Sequence, residues 1–294
     1  MSAFTKKERI ALLCMLVFLL LFLCYYTLGV GVPTGLDEET AAVYDLAYTR
    51  LLAGLIFTSL FLYLGYPLLS LRRGKSRRAA VALLLSAVVA VNNFPIVSLI
   101  TGDMQIDAPP LRIVLFTLAC LGIGLFEEFA FRGIVFPTLC DRLLPILRKK
   151  REASIKPHRL PVETVTAVLS IFLTSAIFGL LHVMNLLSGG SPVAVLMQIG
   201  YSFLIGGMCA IVLLYTRSLV FPVLIHAVYD FGGLMDVHIA VGSRWDPLTV
   251  TLTAVIGVIA AIVFVVLLLR TSPEAVSAIT RRGSGKEQGD PKND

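Results

Sequence analysis

Charge is what this chain has least of. Of its 294 residues only 15% are Asp, Glu, Lys or Arg, against 57% apolar, and the mean hydropathy is +0.86. That balance excludes a soluble two-domain protein and a disordered one, because apolar surface on this scale has no aqueous hiding place. Cysteine is also thin: Cys14, Cys24, Cys120, Cys140 and Cys209 lie in or beside apolar runs with no CxxC spacing. A disulfide-stapled secreted domain is thereby excluded, and the five read as packing residues. The net charge of +6 does not signal nucleic acid, since the basic residues fall in short stretches between apolar runs.

What is present in abundance is long apolar sequence. About 20 apolar residues cross about 30 Å of hydrocarbon, and eight segments approach that length: 10–28, 51–69, 79–99, 111–140, 165–187, 193–215, 218–234 and 248–269. The fold class expected is all-α, a polytopic membrane protein of about eight transmembrane helices. The first run follows Lys6, Lys7 and Arg9 but is too long for a signal peptide and is followed by no A-x-A-like site, so it reads as a retained span. With alternating loops and a cytoplasmic N-terminus, 21 of the 25 basic residues fall on the cytoplasmic side and three, Arg50, Arg112 and Arg244, on the other. Both termini are expected to be cytoplasmic. The basic stretch Arg142–Arg159 reads as a flexible loop and topology signal, and the fourth segment, with Gly122, Gly124, Gly133 and Pro137, as one that kinks or ends early. Asn92-Asn93-Phe94-Pro95 reads equally as a cavity lining and as a proline kink. No internal repeat points to an inverted-repeat transporter.

Against that background, ionisable groups inside spans stand out, since each costs about 2.5–3.5 kcal/mol at the bilayer centre. They form three islands: Glu127, Glu128 and Arg132 in the fourth segment, His182 in the fifth, and His226 with Asp230 in the seventh. Left facing lipid separately, four charged groups would cost on the order of 10 kcal/mol, so they are expected to meet. Glu128 and Arg132 are i,i+4 and so are His226 and Asp230, which places each pair on one helical face. Glu127 is then turned about 100° away from its neighbour and lacks a local partner. Phe178 stands one turn before His182. Each island taken alone also reads structurally: an interhelical brace, a hydrogen-bonded glue histidine, a structural ion pair or a proton relay. Together they supply two carboxylates and two imidazoles on three helices, which is what water activation in a membrane-buried pocket requires.

Those residues carry a resemblance. Glu127-Glu128-Phe129-Ala130-Phe131-Arg132, Phe178 to His182, and His226 to Asp230 match EExxxR, FxxxH and HxxxN/D in order and separation. The chain so resembles the CAAX proteases and bacteriocin-processing enzymes, also called CPBP or Abi intramembrane proteases, over roughly residues 111–234. The resemblance implies an intramembrane endopeptidase of the Ras-converting-enzyme type acting on a membrane-associated peptide or protein. Glu127 and His182 would polarise the attacking water, His226 and Asp230 would stabilise the oxyanion, and Glu128, Arg132 and Phe178 would support them. Water activation stays open between the Glu–His pair alone and a bound divalent metal such as Zn2+, for which Glu127, His182, His226 and Asp230 are the possible ligands. The prenyl-peptidase members carry Asn where this chain has Asp230, and an ionised carboxylate accepts hydrogen bonds but donates none. Asp230 must therefore be protonated, orient His226 or ligate a metal.

The organisation expected is helices 1–3 over residues 1–110, the CPBP-like catalytic core over 111–236, a last span within 237–272 and a disordered cytoplasmic tail over 273–294. The resemblance places the protein in the cell membrane of a prokaryote, with lipid and a peptide substrate as partners and no nucleic acid. HExxH, GxGD and a GxSG with a partnered histidine are all missing, which disfavours the other intramembrane protease types. A non-catalytic scaffold or immunity factor of the same fold and a proton-coupled transporter remain the rival readings. On straight helices at 1.5 Å per residue, His226 would sit about 14 Å from the cytoplasmic edge and Glu127 and His182 about 22–26 Å. Tilt or projecting helices must then close a gap of roughly 10 Å.

Overall fold

The computed structural model describes residues 5–28, 35–69, 76–154, 159–187 and 189–280. Every one of the eight apolar segments forms a helix. In chain order they are α1 (Lys6–Leu28), α2 (Glu38–Leu64), α3 (Arg77–Asn92), the short α4 (Ile96–Thr101), α5 (Pro110–Glu128), α6 (Phe136–Glu152) and α7 (Val162–Leu181). Then follow α8 (Pro192–Thr216), α9 (Val220–Gly233), the single turn α10 (Met235–His238), α11 (Pro247–Leu269) and α12 (Pro273–Ser277). Five stretches among the described residues are long and apolar enough to span a membrane: Glu38–Leu64, Pro110–Glu152, Val162–Leu186, Pro192–Thr216 and Pro247–Leu269. The third and seventh segments make helices of only 16 and 14 residues, shorter than a full crossing requires. The molecule is an all-α membrane protein, and the expected count of eight spans is not reached by this measure.

The fourth segment does not end early. A π-helical turn, Phe129–Val135, joins α5 to α6, and the 43 residues from Pro110 to Glu152 run as one rod. At 1.5 Å per residue that is about 64 Å, twice the hydrocarbon thickness, so one end must stand clear of it. α6 is that end: it is polar, closes on Lys149, Lys150 and Arg151, and carries Pro145 inside it. The basic stretch expected as a flexible loop is thus helical through Glu152. It is tied down by Arg142 to Glu8 of α1 at 2.5 Å and by Arg148 to Glu163 of α7 at 2.8 Å.

α5 packs along α2 and α9, and α7 along α8, around a core that includes Phe57, Phe61, Phe136, Cys209, Leu213 and Leu219. Cys120, Cys140 and Cys209 are buried and free, as packing residues should be. At one end Arg112, itself buried, joins α5 to the start of α2: it donates to the Thr40 hydroxyl at 3.0 Å and pairs with Asp37 at 2.8 Å and with Glu39. Asp37 caps α2 by accepting from the Thr40 amide at 2.9 Å. The Thr40 hydroxyl and amide, then Arg112, hold its carboxyl below the usual carboxylate range. A group depressed in the folded state stabilises above its unfolded value, near 3.9, and that contribution disappears as pH falls through the lowered folded value. Acid titration of Asp37→Asn should therefore show less pH dependence below about pH 4 than the parent chain.

Two features of the fold were not legible in the sequence. Met104–Ile106 (β1) pairs antiparallel with Ala240–Gly242 (β2), Gln105 opposite Val241. Gly242, at φ +116°, admits no side chain there, because a Cβ would lie 2.1 Å from the Asp103 carbonyl oxygen. The tail, expected to be disordered from residue 273, begins instead as α12, capped by Ser272 with Ala275 and Val276 buried. The rest of that tail, 281–294, lies outside the described residues.

Candidate active site

The site begins with a glycine contact. A Cβ at Gly124 of α5 would lie 2.7 Å from the Val223 carbonyl oxygen of α9, so the two backbones touch. One turn on, that closeness lets the carboxylates of Glu127 and Glu128 reach the ring of His226, one turn after Val223. Gly124→Ala is expected to push α9 off α5 and to cost about 1–3 kcal/mol of overpacking, read as a lower melting temperature.

Glu128 is fully buried. Its Oε1 lies 2.7 Å from His226 Nδ1 and 3.0 Å from an Arg132 guanidinium nitrogen, so one carboxylate bridges two helices. The expected Glu128–Arg132 pair is present even though the intervening turn is π-helical. Arg132, 1% exposed, lays its guanidinium over the Phe178 ring at 4.5 Å and points Nε at the Gly206 carbonyl at 3.4 Å. A Cβ at Gly206 would come within 2.6 Å of that guanidinium. Gly206 is a site residue that spacing could not single out: it lies beside Gly207 in an apolar run, and its role is a backbone carbonyl.

The other ring nitrogen of His226, Nε2, faces two more carboxylates, Glu127 Oε2 and Asp230 Oδ2, each at 3.5 Å. That exceeds the 2.7–3.2 Å of an N–H···O hydrogen bond, so neither is locked to the ring. Exposure separates the three acids. The side chains of Glu127 and Asp230 are 17% and 18% exposed and that of Glu128 is 0%, so only the first two can meet a bound molecule. Glu127, expected to have no local partner, finds its partner on another helix.

His182 ends α7 and starts a 3-10 segment, His182–Leu186. Its Nδ1 is 3.1 Å from the Phe178 carbonyl. A carbonyl only accepts, so Nδ1 carries the hydrogen and neutral His182 presents Nε2 as an acceptor. Among the described residues no carboxylate lies within ion-pair distance of His182. It joins the cluster through Phe178, whose ring stands edge-on to His182 at 5.2 Å and to His226 at 6.0 Å. Phe178 is therefore the common wall of the site: a guanidinium on its face and both imidazoles at its edges. The 10 Å depth gap expected from straight helices does not arise between α5 and α9, where the groups are in contact.

Asn92-Asn93-Phe94-Pro95 ends α3 and supports the site from outside. The Asn93 amide donates to the Tyr229 carbonyl at 2.7 Å, one residue before Asp230. Phe94 stacks on Phe231, and Arg244 donates to the Asn93 carbonyl at 2.6 Å. As for a metal, among the described residues no group of three or more His, Cys, Asp or Glu is arranged to hold one.

Comparison with known proteins adds one finding. Residues 109–232 match the family model described as type II CAAX prenyl endopeptidase Rce1-like, a family of proteases, and that stretch contains every residue of the cluster. No curated protein and no solved structure matches the chain. Residues 109–232 of this integral, multi-pass membrane protein are an Rce1-like domain of the type II CAAX prenyl endopeptidase family.

Proposed function

We propose that the protein is an intramembrane endopeptidase that hydrolyses a peptide bond of a membrane-associated protein or peptide, with Glu127, His182, His226 and Asp230 as the residues that act on it. The observation that carries this is the convergence of Glu127, Glu128 and Asp230 on the single ring of His226 from two helices. Such a cluster is too costly to keep in an apolar setting without a use. The catalytic core then lies within residues 111–236, the first three helices enclose it, and the N- and C-termini face the cytoplasm.

In this reading water sits against Glu127 and the acceptor nitrogen of His182. Glu127 takes one proton as the oxygen attacks the substrate carbonyl, and His182 Nε2 accepts a hydrogen bond from the other O–H and fixes the attack direction. The new oxyanion is met by Nε2–H of protonated His226, a donor held in place because Nδ1–H is bound to Glu128. Collapse of the tetrahedral intermediate breaks the C–N bond, and the proton held by Glu127 passes to the leaving amine. Glu128 and Arg132 touch no substrate. They hold the His226 ring and the π-helical turn.

In this reading Asp230, whose Oδ2 stands 3.5 Å from His226 Nε2, closes on that nitrogen as an orienting acceptor before the oxyanion forms. Asparagine, the residue of prenyl-peptidase members, keeps an acceptor oxygen and adds a donor, so Asp230→Asn should hold kcat/KM within about threefold. Asp230→Ala should lower it at least about tenfold, or about 1.4 kcal/mol. The general test is a quenched-peptide library with purified protein: cleavage by the parent chain that vanishes in both Glu127→Ala and His182→Ala is the result expected. Equal cleavage by all three overturns the reading.

A further inference from the structure

A cavity of about 480 Å³, none of whose lining residues belongs to the acid–imidazole cluster, opens where several helices end. Its walls include Ser76, Arg77 and Arg78 at the start of α3, Tyr215 and Arg217 at the end of α8, and Ser272 before α12. Among the described residues three arginines line it and no acidic residue does. Glu274, in the first turn of α12, feels the charge of Arg217. Arg78 also donates to the Arg270 carbonyl at 2.8 Å, closing the end of α11 over the cavity.

Two details set this cavity apart from a row of basic residues at helix ends. Arg217 adopts φ +59° and is the sole non-glycine residue with positive φ among the described residues. A side chain with a Cβ enters that region only under constraint. Here it ends α8 and turns the arginine into the cavity wall. The buried hydroxyls of Ser218 and Thr271, chain neighbours of Arg217 and Ser272, have no hydrogen-bond partner among the described residues.

Position gives the class of ligand. α8 and α11 are membrane-spanning candidates, and the cavity lies where both stop, the level at which the hydrocarbon gives way to phosphate. Its lining combines the arginines with Leu214 and Ala275, suiting an anion joined to an apolar body. We propose that this cavity is a phosphate-binding site, filled by the headgroup phosphate of an anionic phospholipid. Arginine forks match phosphate oxygens in pairs, and basic pockets between spanning helices are where such headgroups lodge.

The experiment uses the full chain purified in neutral detergent, with phosphatidylglycerol, phosphatidylcholine or inorganic phosphate added. Retained lipid is read by native mass spectrometry and stability by thermal melt. Phosphatidylglycerol should be retained and should raise the melting temperature, phosphatidylcholine should do neither, and Arg77→Gln/Arg217→Gln should retain at least fivefold less. Protection of the parent chain, but not the variant, by inorganic phosphate keeps the site and makes a free anion its source. Equal retention and equal melting shifts in parent and variant overturn the proposal. Arg77→Gln alone, at an exposed side chain, repeats the measurement should the double variant fold poorly. Peptide cleavage in neutral lipid should be the same for parent and variant, so failure here and failure of the proteolytic reading are separate results.

Discussion

Glu127→Gln is expected to lower peptide hydrolysis by about 10²–10⁴-fold, the usual contribution of a positioned general base, while the protein melts as before. The amide keeps the shape but cannot take the proton of an attacking water. Stability should hold because the nearest polar contact of this partly exposed side chain, His226 Nε2, is 3.5 Å away, beyond hydrogen-bond reach. Initial rates on a peptide cleaved by the parent chain, measured beside a thermal melt, check both halves. A variant that cleaves at the parent rate would remove Glu127 from the chemistry. A variant that loses rate only because it melts earlier would make Glu127 a brace.

The second large effect is one of stability. Arg132→Leu leaves Glu128 fully buried with His226 as its one remaining ion-pair partner among the described residues, and stripping one partner from a buried ion pair costs about 3–5 kcal/mol. Against a total of about 5–15 kcal/mol, that is enough to deplete folded protein at 37 °C. Arg132→Lys should sit between, since an ammonium restores charge but neither lies flat on Phe178 nor forks. The decisive comparison adds Glu128→Gln to Arg132→Leu. With no charge left unpaired, the double variant should regain a large share of the loss in denaturant resistance. A double variant no more stable than Arg132→Leu would mean that electrostatics is not what holds this junction.

How far the sequence reaches toward this site is set by the range of each interaction. The three islands were legible because ionisable residues inside apolar runs are costly anywhere in a membrane. The contacts within one helix were legible as well: Glu128 with Arg132, and His226 with Asp230, follow from spacing alone. What joins the islands was not. The Glu128–His226 bond closes 98 positions of chain, and nothing local distinguishes it from a Glu127–His182 pairing. The backbone contact at Gly124 that permits it depends on the partner helix. The helical state of residues 142–152 escaped notice because charge and Pro145 resemble a loop when the ties to Glu8 and Glu163 are unseen. The β1–β2 ribbon is three residues a side, too short for an alternating pattern to register.

The wide turn at Phe129–Val135 has a consequence for what this stretch can tolerate. A π turn holds one residue more than regular helix and absorbs it locally, so α6 leaves the turn in nearly the phase of an uninterrupted helix. Deleting a single residue there should be taken up by a return to ordinary winding, with α6 turned by only about 30° about its axis. Phe136 and Cys140, now fully enclosed, would stay inside, and Arg142 would still face Glu8. The number of residues between Phe129 and Val135 is thus open to change by one, whereas Arg132, paired with the buried Glu128, is not open to exchange.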